Sequence, residues 1–167
     1  MKKLTLISTA LLGSLLSTAL WAQAVDVKNA WARATVQGQQ ATGAFMQLTA
    51  KDGAKLVSVS SPVAGVAEVH EMKMEGDVMK MRAVQGGLDL PAGKSVELKP
   101  GGYHVMLMDL KSALPKDTSI ALTLVFKDAK GAESKMELKV PVSTAAPGAK
   151  AGDMPGMDHG QHGQHKQ

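Results

Sequence analysis

A strand-like alternation of apolar and polar residues, interrupted at short intervals by Gly, Pro and Asp, runs through most of this 167-residue chain. The pattern extends from Val25 to about Val142 and has no convincing helical period. Turn signals such as Lys51-Asp52-Gly53 and Pro100-Gly101-Gly102 separate the alternating segments. The segments predicted as strands are 27–36, 44–50, 55–60, 66–74, 77–84, 94–99, 103–110, 119–127 and 134–140. Strands of this number and spacing predict an all-β sandwich or small barrel in one domain, 25–142.

The first residues have the three parts of a secretory signal peptide. A basic start at Lys2-Lys3 precedes an uncharged apolar stretch over 4–20, and Ala22-Gln23-Ala24 supplies a cleavage site. We predict a signal peptide over 1–24, cleaved after Ala24, export to the periplasm, and no stable membrane insertion after cleavage. Because the two lysines leave with the peptide, the net charge of +4 falls by two. So small a charge gives no reason to expect a nucleic-acid partner.

The chain contains no cysteine. This composition excludes disulfides, thiolate metal sites, iron–sulfur clusters, blue-copper centres and a cysteine nucleophile. The soft ligand that remains for an exported protein is the methionine thioether. Four methionines and a histidine fall within the twelve residues HEMKMEGDVMKM, from His70 to Met81. This concentration is the first candidate for a binding site.

The HEMKMEGDVMKM stretch is predicted to be a hairpin in which Glu75-Gly76 forms a two-residue loop. Cross-strand neighbours share one face of a sheet, so the loop position decides which side chains project together. In this register the facing pairs are Met74 with Asp77, Met72 with Met79, and His70 with Met81. We therefore expect one His/Met face, with Glu71 opposite Lys80 on the other. A slip of one residue would break the arrangement.

A second segment, 103–108, repeats the combination of histidine and methionine. Alternation places His104, Met106 and Met108 on one side of the predicted strand, opposite Tyr103, Val105 and Leu107. If this His/Met side meets that of the hairpin, two imidazoles and two thioethers converge. Met72, Met74, Met79 and Met108 could equally be ordinary packing around such a site. Trp31 is expected to pack between the sheets.

Imidazole and thioether ligands without thiolate or a carboxylate cluster suit the soft monovalent ion Cu(I). Zinc and iron usually recruit thiolate or carboxylate, and calcium and magnesium prefer oxygen. Neutral ligands leave the charge of the ion uncompensated, so a surface site of this kind could hold copper and still release it to a partner. The ligand chemistry therefore predicts an exchangeable copper site.

The composition changes abruptly after Pro141. Segment 143–167 is predicted to be a flexible linker followed by a Met/His-rich tail, DMPGMDHGQHGQHKQ, that is disordered when free. Beside Asp158, the tail has imidazoles that could take Cu(II) and thioethers that add soft ligands. The residues predicted for this second copper site are Met154, Met157, His159, His162 and His165. The alternative is a tail that only adds solubility.

The segments HEMKMEGDVMKMRAV and LPAGKSVELKPGGYHVMLMDL resemble the periplasmic copper chaperones of the PCu(A)C family, and NAWARATVQGQQATGAFMQLTA resembles their N-terminal part. The resemblance covers nearly all of 25–142. It implies a cupredoxin-like Greek-key β-sandwich, with Cu(I) bound at an exposed edge. The implied ligands are His70, Met81, His104 and Met106. The interval 82–103 is one residue longer than the family pattern, and we place the extra residue in the Gln85–Gly87 loop.

The resemblance also implies the acceptor of the copper, which is the dinuclear copper centre of cytochrome c oxidase subunit II. We predict a monomeric, non-enzymatic chaperone whose partner is this subunit, another periplasmic copper acceptor or another copper chaperone. A rival prediction is a copper-sequestering or resistance protein, which would use the same ligands without a specific acceptor. A redox-active copper enzyme and a purely structural sandwich are the remaining alternatives.

Overall fold

The structure is a computed structural model that describes residues 24–148, and all regular structure in this range is β-strand. The strands are β1 Val25–Arg33, β2 Ala41–Ala50, β3 Ala54–Ser60, β4 Ala64–Glu75, β5 Val78–Ala83, β6 Leu88–Leu90, β7 Ser95–Leu98, β8 His104–Leu110, β9 Ser119–Lys127 and β10 Glu133–Ser143. The predicted all-β class is confirmed. Most of the predicted signal peptide and the whole predicted metal-binding tail lie outside the described residues.

Nine of the ten strands coincide with predicted segments, with ends that differ by a few residues. The strand that the sequence did not predict is β6, because three residues are too few to display an alternating pattern. β1 begins and ends earlier than predicted. No helix among residues 24–148 is long and apolar enough to cross a membrane.

The strands follow one continuous hydrogen-bonded path in the order β5-β4-β8-β2-β1-β10-β9-β3-β6, and β7 pairs with β2 beside β8. A parallel contact joins β1 to β10 through Ala32 with Val142 and Arg33 with Ser143, and it links the two halves of the path. Both halves contribute alternate side chains to one apolar core, as Leu107 of β8 and Leu122 of β9 illustrate. The His/Met residues therefore project from the outer face of the first half.

The outer face is identified by the burial of the alternating residues on β4 and β8. Val69 of β4 and both Val105 and Leu107 of β8 belong to the buried core. The residues next to these in sequence point to the opposite face, because successive strand side chains alternate between the two faces of a sheet. The other face thus carries His70 and Met106 together with their same-face neighbours.

Candidate metal centre

The β4–β5 hairpin turns at Gly76-Asp77, one residue later than predicted. Gly76 has a φ of 62°, as expected for glycine at the first central position of a tight hairpin turn. The predicted register is therefore wrong. The observed facing pairs are His70 with Ala83, Met72 with Met81, and Met74 with Met79. Because each partner moves by two residues, the set of residues on the His/Met face is preserved.

The opposite face of the hairpin is charged. Glu71 faces Arg82 rather than the predicted Lys80, and its Oε1 accepts a hydrogen bond from Arg82 Nε at 2.7 Å. This hydrogen bond, with the nearby charge of Glu71, raises the pKa of Arg82. Glu75 pairs with Lys80 at 2.7 Å and with Arg82 at 3.5 Å. These ion pairs join the two strands on the face that carries no methionine.

β8 lies directly beside β4, so the two His/Met segments of the sequence meet. His70 is the register partner of His104, and their ring centroids are 6.0 Å apart. Met106 lies two residues after His104 on β8, and its register partners are Glu68 of β4 and Gly43 of β2. The structure thus brings two imidazoles and a thioether onto adjacent strands of one sheet face.

His104 is 5% exposed, and its hydrogen bond fixes the position of its proton. The Nδ1 atom lies 3.0 Å from the carbonyl oxygen of Gly102. Because a carbonyl oxygen can only accept, Nδ1–H is the donor, and the lone pair of the neutral ring is on Nε2. Metal-binding histidines commonly direct their second ring nitrogen to a carbonyl in this way.

In its neutral form, His70 has the opposite tautomer. Its Nε2 atom lies 3.0 Å from Oε2 of Glu68, two residues earlier on the same face, so Nε2–H donates to the carboxylate. The lone pair is then on Nδ1, which is buried and has no hydrogen-bond partner among the residues of the described chain. An unpartnered buried polar atom costs about 1–3 kcal/mol. A bound metal ion would remove that cost.

An open pocket of about 340 Å³ lies beside His104 on this face. Three of the four implied ligands, Met81, His104 and Met106, line it together with Met72. The fourth, His70, is not part of the pocket wall, but its ring lies against that of His104. Met81 is the diagonal neighbour of His70 across β4 and β5, a separation of about 7–8 Å that long side chains can bridge.

The ring of Phe45 forms part of the pocket wall and packs against Trp31 behind it. The Phe45 ring lies 4.7 Å from the Trp31 ring and 6.4 Å from the His104 ring, centroid to centroid. Glycine at position 43 makes room for Phe45, because a Cβ atom there would come within 2.7 Å of the phenyl ring. Arg33 extends over the same ring at 5.6 Å. No pattern in the sequence associates these residues with the site.

Trp31 does not pack between the sheets as predicted. It is 4% exposed but lies outside the buried core cluster, paired with Phe45 on the outer face. A register shift in β1 between Lys28 and Trp31, where Asn29 has a φ of 52°, reverses the alternation and turns Ala32 toward the core instead. Alternation along the sequence gave no signal of this bulge.

The site offers few types of ligand side chain. Residues 24–148 contain no group of three or more His, Asp or Glu side chains that could hold a metal ion. The soft donors that line the pocket beside His104 are the thioethers of Met72, Met81 and Met106. Two imidazole lone pairs and several thioethers suit a soft ion of low charge. Glu68 is absent from the predicted site residues, although strand alternation places it on the same face as His70, two residues earlier.

Solved structures of copper-protein domains share this fold. The solution structure of the Cu(I) form of DR1885 from Deinococcus radiodurans has a TM-score of 0.55 and 28% identity, over 74% of this chain and 82% of that one. The copper-bound PCuAC domain of PmoF2 has a TM-score of 0.55 over 74% and 94% of the two chains, and its 24% identity supports the fold alone. The protein is therefore an all-β domain with the cupredoxin-like fold that the PCuAC domains share.

The family follows from the sequence. Residues 25–142 match the family described as "Putative lipoprotein LpqE-like", and the chain belongs to this family. It is 34% identical over 107 residues to the "Putative lipoprotein Lxx21020" of Leifsonia xyli subsp. xyli, and 32% identical over 110 residues to the "Uncharacterized protein RP573" of Rickettsia prowazekii. The matches cover 64% and 63% of this chain and span 64% and 61% of those relatives' lengths.

Proposed function

We propose that this protein is a copper chaperone that binds Cu(I) through His70, Met81, His104 and Met106. The observation that carries the proposal is the pair of facing imidazoles, whose hydrogen bonds leave one lone pair each, on His70 Nδ1 and His104 Nε2. Thioethers of Met81 and Met106 line the adjoining pocket. The similarity to a domain solved in its Cu(I) form supports the choice of metal.

The ligand chemistry favours transfer over permanent storage or catalysis. All four ligands are neutral, so they do not compensate the charge of the ion, and Met81 is 48% exposed at the open side of the pocket. A partner that offers negatively charged or more numerous ligands can therefore displace them one at a time. Phe45 and His104 also line the pocket and are themselves only 6% and 5% exposed.

The acceptor that we propose is the dinuclear copper centre of cytochrome c oxidase subunit II. It rests on the resemblance of the His/Met segments to the PCu(A)C chaperones, and export to the periplasm is part of the same proposal. The relatives named as lipoproteins support an exported protein. We further propose that the tail residues Met154, Met157, His159, His162 and His165 bind a second copper ion as Cu(II).

A competition titration tests the Cu(I) site. The full chain is titrated anaerobically with Cu(I) against a chromophoric chelator, beside a His70→Ala/Met81→Ala variant and a control in which His159, His162 and His165 are replaced by Ala. We expect a single tight Cu(I) equivalent that the control retains and the His70/Met81 variant loses. Tight binding that is lost with the tail and survives in the His70/Met81 variant would refute the site.

A deletion strain separates delivery from sequestration. Loss of cytochrome c oxidase activity at limiting copper, restored by the wild-type chain but not by the His70→Ala/Met81→Ala variant, is the result expected of a chaperone. Copper sensitivity with normal oxidase activity would instead indicate a sequestering or resistance protein that uses the same ligands.

A further inference from the structure

The methionines of the β4–β5 hairpin continue beyond the pocket to a pair next to the turn. Met74 and Met79 face each other across the two strands. They are 53% and 49% exposed, and neither belongs to the buried core. Neither is a ligand of the site proposed above. Packing within the described chain therefore does not explain why two methionines occupy these positions.

The alternating hydrogen-bond pattern of the hairpin brings these two side chains close together. Val84 N–H donates to the carbonyl oxygen of Val69 at 2.8 Å, so that pair is hydrogen-bonded. Hydrogen-bonded and non-hydrogen-bonded residue pairs alternate along an antiparallel ladder. Counting from Val69 and Val84, Met74 and Met79 form a non-hydrogen-bonded pair, with Cα atoms about 4.5 Å apart. Because each methionine has three rotatable bonds, both sulfur atoms can reach one ion between them.

Met74 and Met79, the outer pair, are aligned with the pocket. Met72 and Met81 form the next pair of the same kind, two residues further along each strand and about 7 Å away. This second pair lines the pocket with His104. A stepped series of thioethers therefore leads from the exposed turn to the imidazoles.

Stability of the hairpin does not account for the outer pair. The opposite face already connects the strands through the ion pairs of Glu71 with Arg82 and Glu75 with Lys80. Exposed strand positions are ordinarily best filled by β-branched or aromatic residues, which pack well on a pleated surface. What methionine adds at Met74 and Met79 is the thioether sulfur.

We propose that Met74 and Met79 form an outer Cu(I) site, from which the ion passes to the His70/His104 site by way of Met72 and Met81. The inference rests on the proposed Cu(I) function and deepens it. The step is a ligand exchange in which Cu–S bonds to the outer pair are replaced by bonds to the inner ligands, and copper remains Cu(I) throughout. With two thioethers and no imidazole, the outer site binds more weakly than the inner one.

Methionine-methyl NMR tests the outer site residue by residue. The full chain, labelled with ¹³C at its methionine methyl groups, is titrated anaerobically with Cu(I), and signals are assigned with single Met→Leu variants. The first equivalent should shift the methyl signals of Met81 and Met106. Further Cu(I) should then shift Met74 and Met79 together, and the Met74→Leu/Met79→Leu variant should lose this second response.

A kinetic comparison tests the transfer step. The Met74→Leu/Met79→Leu variant replaces each thioether with a hydrocarbon side chain of similar volume. We expect it to retain the inner-site affinity but to take up Cu(I) from a chromophoric chelator more slowly than wild type. Met108→Leu, which removes a thioether from the same sheet face away from the hairpin, is the matched control and should leave the uptake rate unchanged.

The outcomes separate this inference from the proposed function. If Met81 and Met106 respond to Cu(I) but Met74 and Met79 do not, or if uptake is equally fast in the double variant, the outer site is refuted and the inner one stands. If Met81 and Met106 fail to respond to the first equivalent, the Cu(I) function itself is refuted.

Discussion

At the scale of the residue, Glu68 orients the site without belonging to the implied ligand set. Its carboxylate accepts the Nε2–H of His70 and so leaves Nδ1 as the unprotonated nitrogen. The Gly102 carbonyl likewise accepts the Nδ1–H of His104 and leaves Nε2 as the unprotonated nitrogen. The two rings therefore offer different nitrogens, and the choice is made by groups that a list of ligands would omit.

Substitution of Glu68 should weaken Cu(I) binding without unfolding the protein. We expect Glu68→Leu to lower the Cu(I) affinity about tenfold, because loss of the acceptor frees the His70 ring to rotate or change tautomer. Glu68→Gln retains an acceptor oxygen and should restore part of the affinity. The measurement is the anaerobic chelator competition, with Glu133→Leu on the exposed part of β10 as the control. Equal affinities for wild type and Glu68→Leu would contradict the role.

At the scale of the element, the β4–β5 hairpin shows how one turn residue sets the geometry of a site. The predicted loop at Glu75-Gly76 and the observed turn at Gly76-Asp77 differ by one position, yet both leave the same residues on the His/Met face. The reason is that a shift of the turn by one residue moves every cross-strand partner by two, which is one full strand period. The partners themselves change, and Met81 faces Met72 rather than His70.

Engineered cysteines can distinguish the two registers directly, since the chain has no native cysteine to interfere. In the observed register, Met74→Cys/Met79→Cys places two thiols on facing residues, at a Cα separation suitable for a disulfide. We expect this variant to oxidise readily and Met72→Cys/Met79→Cys to oxidise much more slowly, as followed by loss of free thiol. The reverse order would support the register predicted from the sequence.

At the scale of the whole molecule, the core and the proposed metal site occupy opposite faces of the same strands. Leu107 is fully buried in the core, whereas its sequence neighbour Met106 faces the pocket. The site spans β4, β5 and β8, so a bound ion would connect the edge hairpin to the interior of the sheet. Copper should therefore stabilise the fold in addition to being carried by it.

A core substitution should separate the two contributions to stability. We expect Leu107→Ala to lower the free energy of unfolding by about 2–5 kcal/mol, the range for large-to-small changes at buried sites. Saturating Cu(I) should raise the unfolding midpoint of wild type and Leu107→Ala alike, because the ligands remain in place. Thermal unfolding of the apo and Cu(I)-loaded forms, under anaerobic conditions, provides the measurement. An unfolding midpoint unaffected by Cu(I) in both proteins would contradict a site that connects the strands.

The sequence alone determined the all-β class, nine of the ten strands and the membership of the His/Met face. These properties follow from the period-two geometry of a strand, which each segment carries locally. Tertiary structure decided the position of the hairpin turn, the pairing of His70 with His104, the hydrogen bonds that select their free nitrogens, and the placement of Trp31. These features depend on strand pairing and on a bulge in β1, which are set by contacts between residues distant in sequence and leave no mark on local alternation.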